Sequence, residues 1–411
     1  MITQRGGDMI RKLALISLAC MIFGILMGLT IDANGEVTMS IAIGVKKDPA
    51  GGFTNAELIG RYWFRRLGIH NFETNYREAQ TCYGYIDFNG TGSWAGGGTC
   101  FDSDGTSEAI PSFNGTYSVN TNGSFTFIFN EEIDTGHISL DRNFAILSDG
   151  FVDSHGIHQG IVTALRISDS PLSLSDLNGT WRFRDLELRD FENTNVNATT
   201  CSLLLVCKNG NWNGSAECLN SDGSTATPSV SGTYVIKGNA VDFYETGYTE
   251  VLVSAYLLKD KNLFIFTRGS SLENELFKGI AIKEGAKTYS NADLSGAYFM
   301  HMMNISDIET SDRGAEIIRG TLSSDGEGNW TLTRQNFESD GTSASGTISG
   351  KYSVKSDGSY GVTVTSETPN STLIGYISGN NNIIAFGSGG KVSDEVKSKS
   401  MPWLPLLLLN D

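Results

Sequence analysis

An internal repeat constrains this chain more than any other feature of its sequence. A unit of about 118 residues occurs three times, and its openings start at Leu58, Leu177 and Leu294. Three further markers keep their order in every copy: a tryptophan (Trp94, Trp212, Trp330), a Ser-Asp-Gly triplet (Ser103, Ser221, Ser339 onward) and a Gly-x-Tyr triplet (Gly115, Gly232, Gly350 onward). The chain therefore contains three copies of one fold.

Each copy has the pattern of short strands separated by tight turns. In the first copy we predict strands near 58–66, 80–88, 93–101, 114–119, 124–130, 136–140, 143–148 and 158–167. Short links pair neighbouring strands into an antiparallel meander, and eight strands of a meander close most naturally into an up-and-down barrel, which leaves no exposed edge. The predicted fold class is all-β, with three tandem antiparallel meander units that form eight-stranded barrels. A Greek-key sandwich is the alternative.

The predicted divisions of the chain follow the repeat and its flanks. They are 1–35 as a signal peptide or N-terminal anchor, 36–56 as a lead strand and linker, and 57–170, 171–288 and 289–411 as the three barrel repeats. The first assignment rests on Arg11 and Lys12, the uncharged, mainly apolar run 13–31 and small residues at a cleavage site. A run of this length can also span a bilayer. We expect export, to a secreted, periplasmic or cell-surface location, with membrane contact only if this segment is retained.

Two segments outside the repeat pattern leave a question open. Residues 37–45 resemble the last strand of the unit, Gly279–Lys283, and could complete another barrel. The third copy ends on 403–409, where Pro405 argues against a central strand. The sequence does not decide the role of either segment.

The cysteines test the strand register. Asn209-Gly210 is the pair that a two-residue hairpin turn prefers, and counting outward from it places Cys201 opposite Cys218. That position is a non-hydrogen-bonded pair, close enough for a disulfide, and Cys82 and Cys100 align with it in the first copy. Export favours oxidation, so we predict both disulfides, with two free buried thiols as the alternative in each case. We interpret Cys207 as a buried apolar residue.

The same register places the tryptophans on the apolar face. Trp94 and Trp212 lie on the strand face that carries Phe88 and Cys207, beside small residues such as Gly96 and Gly214. A large indole next to glycines is typical of volume matching in a narrow barrel, so we predict core residues, with ligand stacking as the alternative.

Leu177-Asn178-Gly179-Thr180-Trp181 resembles the first-strand Gly-x-Trp motif of lipocalins and avidins. Those calycin-type proteins are eight-stranded meander barrels that hold small molecules at one mouth. The resemblance covers the opening strand of each copy and the strand count. It implies that Trp181 closes the barrel floor, with Tyr62 and Tyr298 at the same place in the other copies. It supplies no ligand-binding residues.

Composition excludes or disfavours several functions. The formal net charge of −16 repels phosphate backbones, so we expect no nucleic-acid partner. No nucleophile elbow, phosphate loop or His-Glu-x-x-His motif is present, and we predict a non-enzymatic protein without cofactor or metal, with a hydrolase as the minor alternative. Asp153, His155 and His158 come nearest to a metal set, whereas the segment Asp102–Gly105 lacks the glutamate of a calcium loop.

Loop length indicates which end of the barrel carries function. The links 67–79, 102–113 and 149–157 follow odd-numbered strands of the first copy and read as long, whereas 89–92, 120–123 and 141–142 are tight. In a meander, the links after the first, third, fifth and seventh strands all lie at the same rim of the barrel. Function concentrates in long loops on a rigid scaffold. We therefore predict a small-molecule or cell-surface ligand at this rim, bound by His70, Asn71, Glu73, Tyr76, Asp102, Asp104, Asp153, His155 and His158. A structural or adhesive cell-envelope protein with filled barrels is the alternative.

Overall fold

The computed structural model describes residues 36–72, 77–130, 132–153, 156–168, 170–189, 191, 196–270, 275–306, 308, 313–366 and 371–392. These residues belong to one compact unit that starts at Glu36. The predicted signal segment and the stretch 403–409 lie outside the described residues. No helix in the described part of the chain is long and apolar enough to cross a membrane.

The described residues form 25 strands and three short 3-10 helices, Asn55–Glu57, Leu174–Leu177 and Asn291–Leu294. The strands are β1 (Glu36–Lys46), β2 (Ile59–His70), β3 (Glu78–Asn89), β4 (Ser93–Asp102), β5 (Ser107–Val119), β6 (Ser124–Phe129), β7 (Glu132–Ile138), β8 (Phe144–Asp153), β9 (Gly156–Leu165), β10 (Gly179–Arg189), β11 (Asn197–Lys208), β12 (Asn211–Asn220), β13 (Thr225–Ala226), β14 (Ser229–Lys237), β15 (Ala240–Glu245), β16 (Val253–Leu257), β17 (Leu263–Ser270), β18 (Glu275–Lys283), β19 (Gly296–Ser306), β20 (Gly314–Ser324), β21 (Asn329–Glu338), β22 (Ser343–Val354), β23 (Ser359–Val364), β24 (Ser371–Ile377) and β25 (Ile383–Val392).

The strands close into three eight-stranded antiparallel barrels, which confirms the predicted fold class. The first barrel consists of β2 to β9. In the second, β10 to β12 and β14 to β18 form the ring, and the short β13 pairs with β12 beside β14. The third contains β19 to β25 together with β1.

Strand β1 answers the question that the sequence left open. It lies between β19 and β25 and pairs antiparallel with both, so that Ile41 is opposite Met303 on one side and Gly387 on the other. Residues 37–45 therefore complete the third barrel, which combines the first described strand with the last seven.

The repeat markers have structural roles in every copy. The tryptophans are buried in the barrel interiors, and each lies opposite the glycine of the Gly-x-Tyr triplet, where a Cβ would collide with the indole. The serine of each Ser-Asp-Gly triplet accepts a backbone N–H from the second residue of a neighbouring strand, as Ser103 does from Ala79 of β3. These contacts explain the marker spacing and support the core interpretation of the tryptophans.

Both predicted disulfides are present. Cys201 pairs with Cys218 in the register that the Asn-Gly turn predicts, and the Cα–Cα distance is 4.1 Å in this disulfide and in Cys82–Cys100. Cys207 is a buried free cysteine, and burial raises the pKa of its thiol to about 12. This supports its interpretation as a core residue.

The predicted long links are wrong at two of three places in the first barrel. Strand β5 begins at Ser107, so the link 102–113 shortens to 103–106, and β8 and β9 extend until only 154–155 separates them. Only the first link, 71–77, stays long. The reason is that exposed residues at the barrel mouth continue the strand pairing although they resemble loop residues in sequence.

The outward faces of strands from all three barrels meet in one apolar cluster, which we call the central cluster. It contains Met39, Ile41, Ile43 and Val45 of β1, with residues such as Leu67 and Ile146 of the first barrel, Leu186 and Ile265 of the second, and Met303 and Ile317 of the third. The barrels are thus packed against one another and are not independent domains on linkers.

Polar contacts also cross the boundaries between barrels. His137 of β7 and His301 of β19 are buried with ring nitrogens 2.7 Å apart, and His301 contacts the Ser148 hydroxyl at 2.8 Å. Burial lowers the pKa of His137 to about 3, so both rings are neutral and one donates to the other. Between the first two barrels, the Lys278 ammonium donates to the Arg65 carbonyl at 2.8 Å.

We expect Ile41→Ala to lower the free energy of unfolding by about 2–5 kcal/mol, because the residue is 0% exposed in the central cluster. Urea unfolding measures this change, and hydrogen exchange should accelerate in β19 and β25, which pair with β1. Ile133→Ala is the control, since Ile133 is 66% exposed and its loss should cost less than about 0.5 kcal/mol. Equal stability of the two variants would contradict a stabilising role for the central cluster.

Candidate functional site in the barrel interiors

Each barrel interior has an apolar end and a polar end. At the end formed by the links after the second, fourth and sixth strands of each copy, Tyr62, Trp181 and Tyr298 are fully buried and donate to the backbone oxygens of Arg142, Leu177 and Asn381. This is the floor position that the calycin resemblance implied. Toward the opposite end, formed by the links after the first, third, fifth and seventh strands of each copy, inward positions carry charged and polar side chains. We call this part of each interior the polar half.

In the first barrel the polar half contains a hydrogen-bonded chain. Arg66 of β2 donates to Asp149 of β8 at 2.9 Å and to Gln80 of β3 at 3.2 Å, and Gln80 donates to Asp102 at 2.8 Å. Burial and the neighbouring Asp149 raise the pKa of Asp134 to about 8. The predicted candidate Asp102 thus connects the rim to an interior ion pair.

Two glycines make room for this ion pair. A Cβ on Gly68 would lie 2.4 Å from the Arg66 guanidinium, and one on Gly160 would lie 2.1 Å from the Asp149 carboxyl. The two glycines are directly opposite each other on β2 and β9. The backbone therefore leaves space for charge at this level of the interior.

The other predicted residues of the first barrel divide into three groups. His70 and His158 pair across β2 and β9 with ring centroids 4.4 Å apart, and Asn71 accepts the Ile157 N–H. Asp104 is exposed and accepts the Thr106 N–H, a turn contact that Asp222 and Asp340 repeat. Glu73, Tyr76 and His155 lie outside the described residues, as does the side chain of Asp153. The structure brings His70, Asn71 and His158 to one place.

The polar half of the second barrel holds two glutamates and two arginines. Glu187 and Glu275 lie together, and burial raises the pKa of Glu187 well above its ordinary value, with Glu275 adding to the shift. Arg189 contacts both carboxyls, and Arg268 lies 2.9 Å from Glu275. Below them, Asp185 accepts the Cys201 N–H at 2.7 Å, and burial raises its pKa to about 7.

The polar half of the third barrel combines β1 with β19, β20 and β21. Ser40, Asn304, Glu316 and Glu338 are successive cross-strand neighbours in one row. Asn336 and Arg334 occupy the next inward positions of β21. Burial and the Glu338 carboxyl raise the pKa of Glu316 well above its ordinary value.

The sequence reasoning selected the rim of the first barrel and, apart from Asp102, did not name the residues of its polar half. A signal was available in β10, where Asp185, Glu187 and Arg189 alternate with Leu186 and Leu188. Strict alternation places the charges on the face that carries Trp181 and Phe183, which is the interior. Among the described residues, no group of three or more His, Cys, Asp or Glu is placed to hold a metal ion.

No protein-family model and no curated protein matches the chain. Solved structures with some similarity include a protein of unknown function from the DUF3598 family of Nostoc punctiforme PCC 73102, at 15% identity, covering 69% of this chain and 95% of that one with a TM-score of 0.18. A transferrin binding protein B variant from Haemophilus parasuis Hp5 is 11% identical, with 81% and 76% covered and a TM-score of 0.16. Pseudomonas aeruginosa OpdK is 8% identical, with 86% and 96% covered and a TM-score of 0.13.

These similarities carry no functional argument, because every TM-score is far below the level of a shared whole-chain structure. The barrel fold itself follows from the strand pairing. The calycin-type resemblance stays an expectation, since no family is assigned.

We expect Asp185→Asn to stabilise the protein at pH 8 and not at pH 4. With a folded pKa of about 7, Asp185 keeps a proton that an unfolded aspartate releases near pH 4, so wild-type stability is lost as the pH rises between these values. Asparagine can still accept the Cys201 N–H and does not ionise. The gain at pH 8 should be about 1–4 kcal/mol, measured by urea unfolding at pH 4, 6 and 8.

Asp87→Asn serves as the control, because Asp87 forms an exposed ion pair with Arg61 on the outer face of the first barrel. Its free energy of unfolding, relative to wild type, should not increase with pH. The raised pKa of Asp185 would be contradicted if the free energies of unfolding of Asp185→Asn and wild type differed by the same amount at pH 4 and at pH 8.

Proposed function

We propose that this protein is an exported, non-enzymatic binding protein whose barrels hold a small or cell-surface ligand at the end that contains the polar half. The observation that carries the proposal is the polar half of each interior. Ionisable side chains are buried at the same end of all three barrels, above a floor of aromatic side chains. An apolar lining with a few convergent polar groups is typical of small-molecule sites.

The energetics support a binding role. Taking charges out of water costs several kcal/mol per ion, and well-packed apolar residues often serve stability as well or better. A barrel that only had to be solid could be filled to its rim with apolar side chains, as its floor is. Charges retained at one end of each interior therefore favour a ligand with polar groups.

Export rests on separate support. Two disulfides join strands within the first two barrels, and such bonds persist in oxidising compartments. The N-terminal segment has the pattern of a signal peptide. We propose a secreted, periplasmic or cell-surface location, with no nucleic-acid partner.

The filled floors favour one other candidate, a structural or adhesive envelope protein. Trp94 stacks on Phe127 with ring centroids 4.2 Å apart, and Phe183 stacks on Phe266 at the same distance. Aromatic packing of this kind makes a rigid barrel whose outer faces could carry the contacts.

A test of the binding proposal is native mass spectrometry of the full chain after incubation with an extract of the producing cells. We expect wild type to retain a small molecule that at least one of Asp149→Asn, Glu187→Gln and Glu316→Gln loses, because each substitution removes an ionisable carboxyl group from one polar half. Asp87→Asn, on an outer face, should retain it. Retention of nothing by folded wild type, or equal retention by all variants, would favour the structural candidate.

A further inference from the structure

The third barrel contains buried polar atoms that have no hydrogen-bond partner within the chain. They are Thr38 Oγ1 and Asn336 Oδ1, on residues that are 0% and 6% exposed. The Glu316 carboxyl, on a residue that is 3% exposed, is buried in the same barrel and interacts with the side chains of Glu338 and Asn304. Leaving such an atom unsatisfied costs about 1–3 kcal/mol. Folded proteins pair nearly all of their buried polar groups, with protein, water or ligand.

These atoms share one interior. Thr38 lies on the face of β1 that carries Ala42, Glu316 on the face of β20 that carries Ile318, and Asn336 on the face of β21 that carries Leu332. Ala42, Ile318 and Leu332 all belong to the apolar cluster inside the third barrel. Strands β1, β20 and β21 thus direct side-chain oxygen atoms into the same polar half.

When both of its glutamates are ionised, this polar half carries a net negative charge. Glu316 and Glu338 are opposite each other in the register, and Arg334 is the cation on the same interior face of β21. Burial raises the pKa values of both glutamates, and each lies within electrostatic reach of Arg334. Two acids beside one base favour a ligand that brings a positive charge.

We propose that the polar half of the third barrel binds a small primary amine, with its ammonium group against the Glu316 carboxyl and with Thr38 and Asn336 as further oxygen acceptors in the same interior. An ammonium has three N–H donors and no acceptor, which suits an interior whose side chains present oxygen atoms. Arg334 repels a second cation and attracts an oxygen of the same molecule, so amino alcohols and amino acids fit better than diamines. This inference rests on the proposed function and assigns a ligand class to one barrel.

Binding of an amine would also change the protonation of the site. Glu316 ionises when a cation lies against it, since an opposite charge favours the charged form. Ligand binding near neutral pH is therefore accompanied by proton release. Water or a neutral polyol satisfies the same oxygen atoms without this release.

Isothermal titration calorimetry of the full chain tests the inference, with ethanolamine as the probe and ethylene glycol as its neutral counterpart. We expect saturable binding of ethanolamine and none of ethylene glycol. The apparent binding enthalpy should differ between phosphate and HEPES buffers, neither of which is a primary amine, because released protons are taken up by the buffer. Glu316→Gln should weaken ethanolamine binding at least tenfold and abolish the buffer dependence.

Two further variants keep the test decisive. Glu327→Gln removes a glutamate at the opposite end of the same barrel, where the side chain is exposed, and should bind as wild type does. Thr38→Val removes one hydroxyl and should also weaken ethanolamine binding. It takes the place of Glu316→Gln in the test if that variant proves unstable in thermal unfolding.

Equal binding of ethylene glycol, no binding of ethanolamine, or unchanged binding in Glu316→Gln and Thr38→Val would each overturn the inference. If a small molecule is retained in native mass spectrometry while ethanolamine fails, the amine assignment falls and the proposed binding function stands. If neither is seen, both fall.

Discussion

The packing of outward strand faces into the central cluster is the interaction on which the rest of the structure depends. In an isolated barrel the inside is apolar and the outside is polar. Here β10 directs Leu186 and Leu188 outward into the central cluster, while Asp185 and Glu187 point inward at the same level. Strands β2 and β19 repeat this arrangement. Apolar burial between the barrels therefore offsets the stability that polar groups remove from inside them.

Local chemistry made much of the fold predictable. The Asn209-Gly210 turn sets the register of β11 and β12, so the disulfide partners followed from counting. The extent of β5 did not follow, because Pro111 and its polar neighbours have the composition of a loop. In the structure Pro111 falls where the pairing between β4 and β5 shifts its register, at Gly96 to Gly98. An irregularity of this kind tolerates a residue that cannot donate to the ladder.

The candidate site was less predictable because its residues are brought together by barrel closure. His70 and His158 come from the first and last strands of one repeat and were chosen as loop residues, yet they are a cross-strand pair. Asp104 was chosen for its charge, and its carboxylate stabilises a turn that all copies share. The charges that distinguish one barrel from another, such as Glu187 and Glu316, occupy strand positions that the repeat markers do not include.

Strand β1 connects closure, packing and the proposed ligand site. Its outward face supplies Met39 and Ile41 to the central cluster, and its inward face places Thr38 in the polar half of the third barrel. The hydrogen bonds to β19 and β25 hold both faces in position. A ligand that contacts Thr38 binds only the barrel in which β1 is paired with β19 and β25. Its binding free energy therefore stabilises this paired state of β1. The strand that completes the third barrel is thus the element through which occupancy of the site would stabilise the packing of all three.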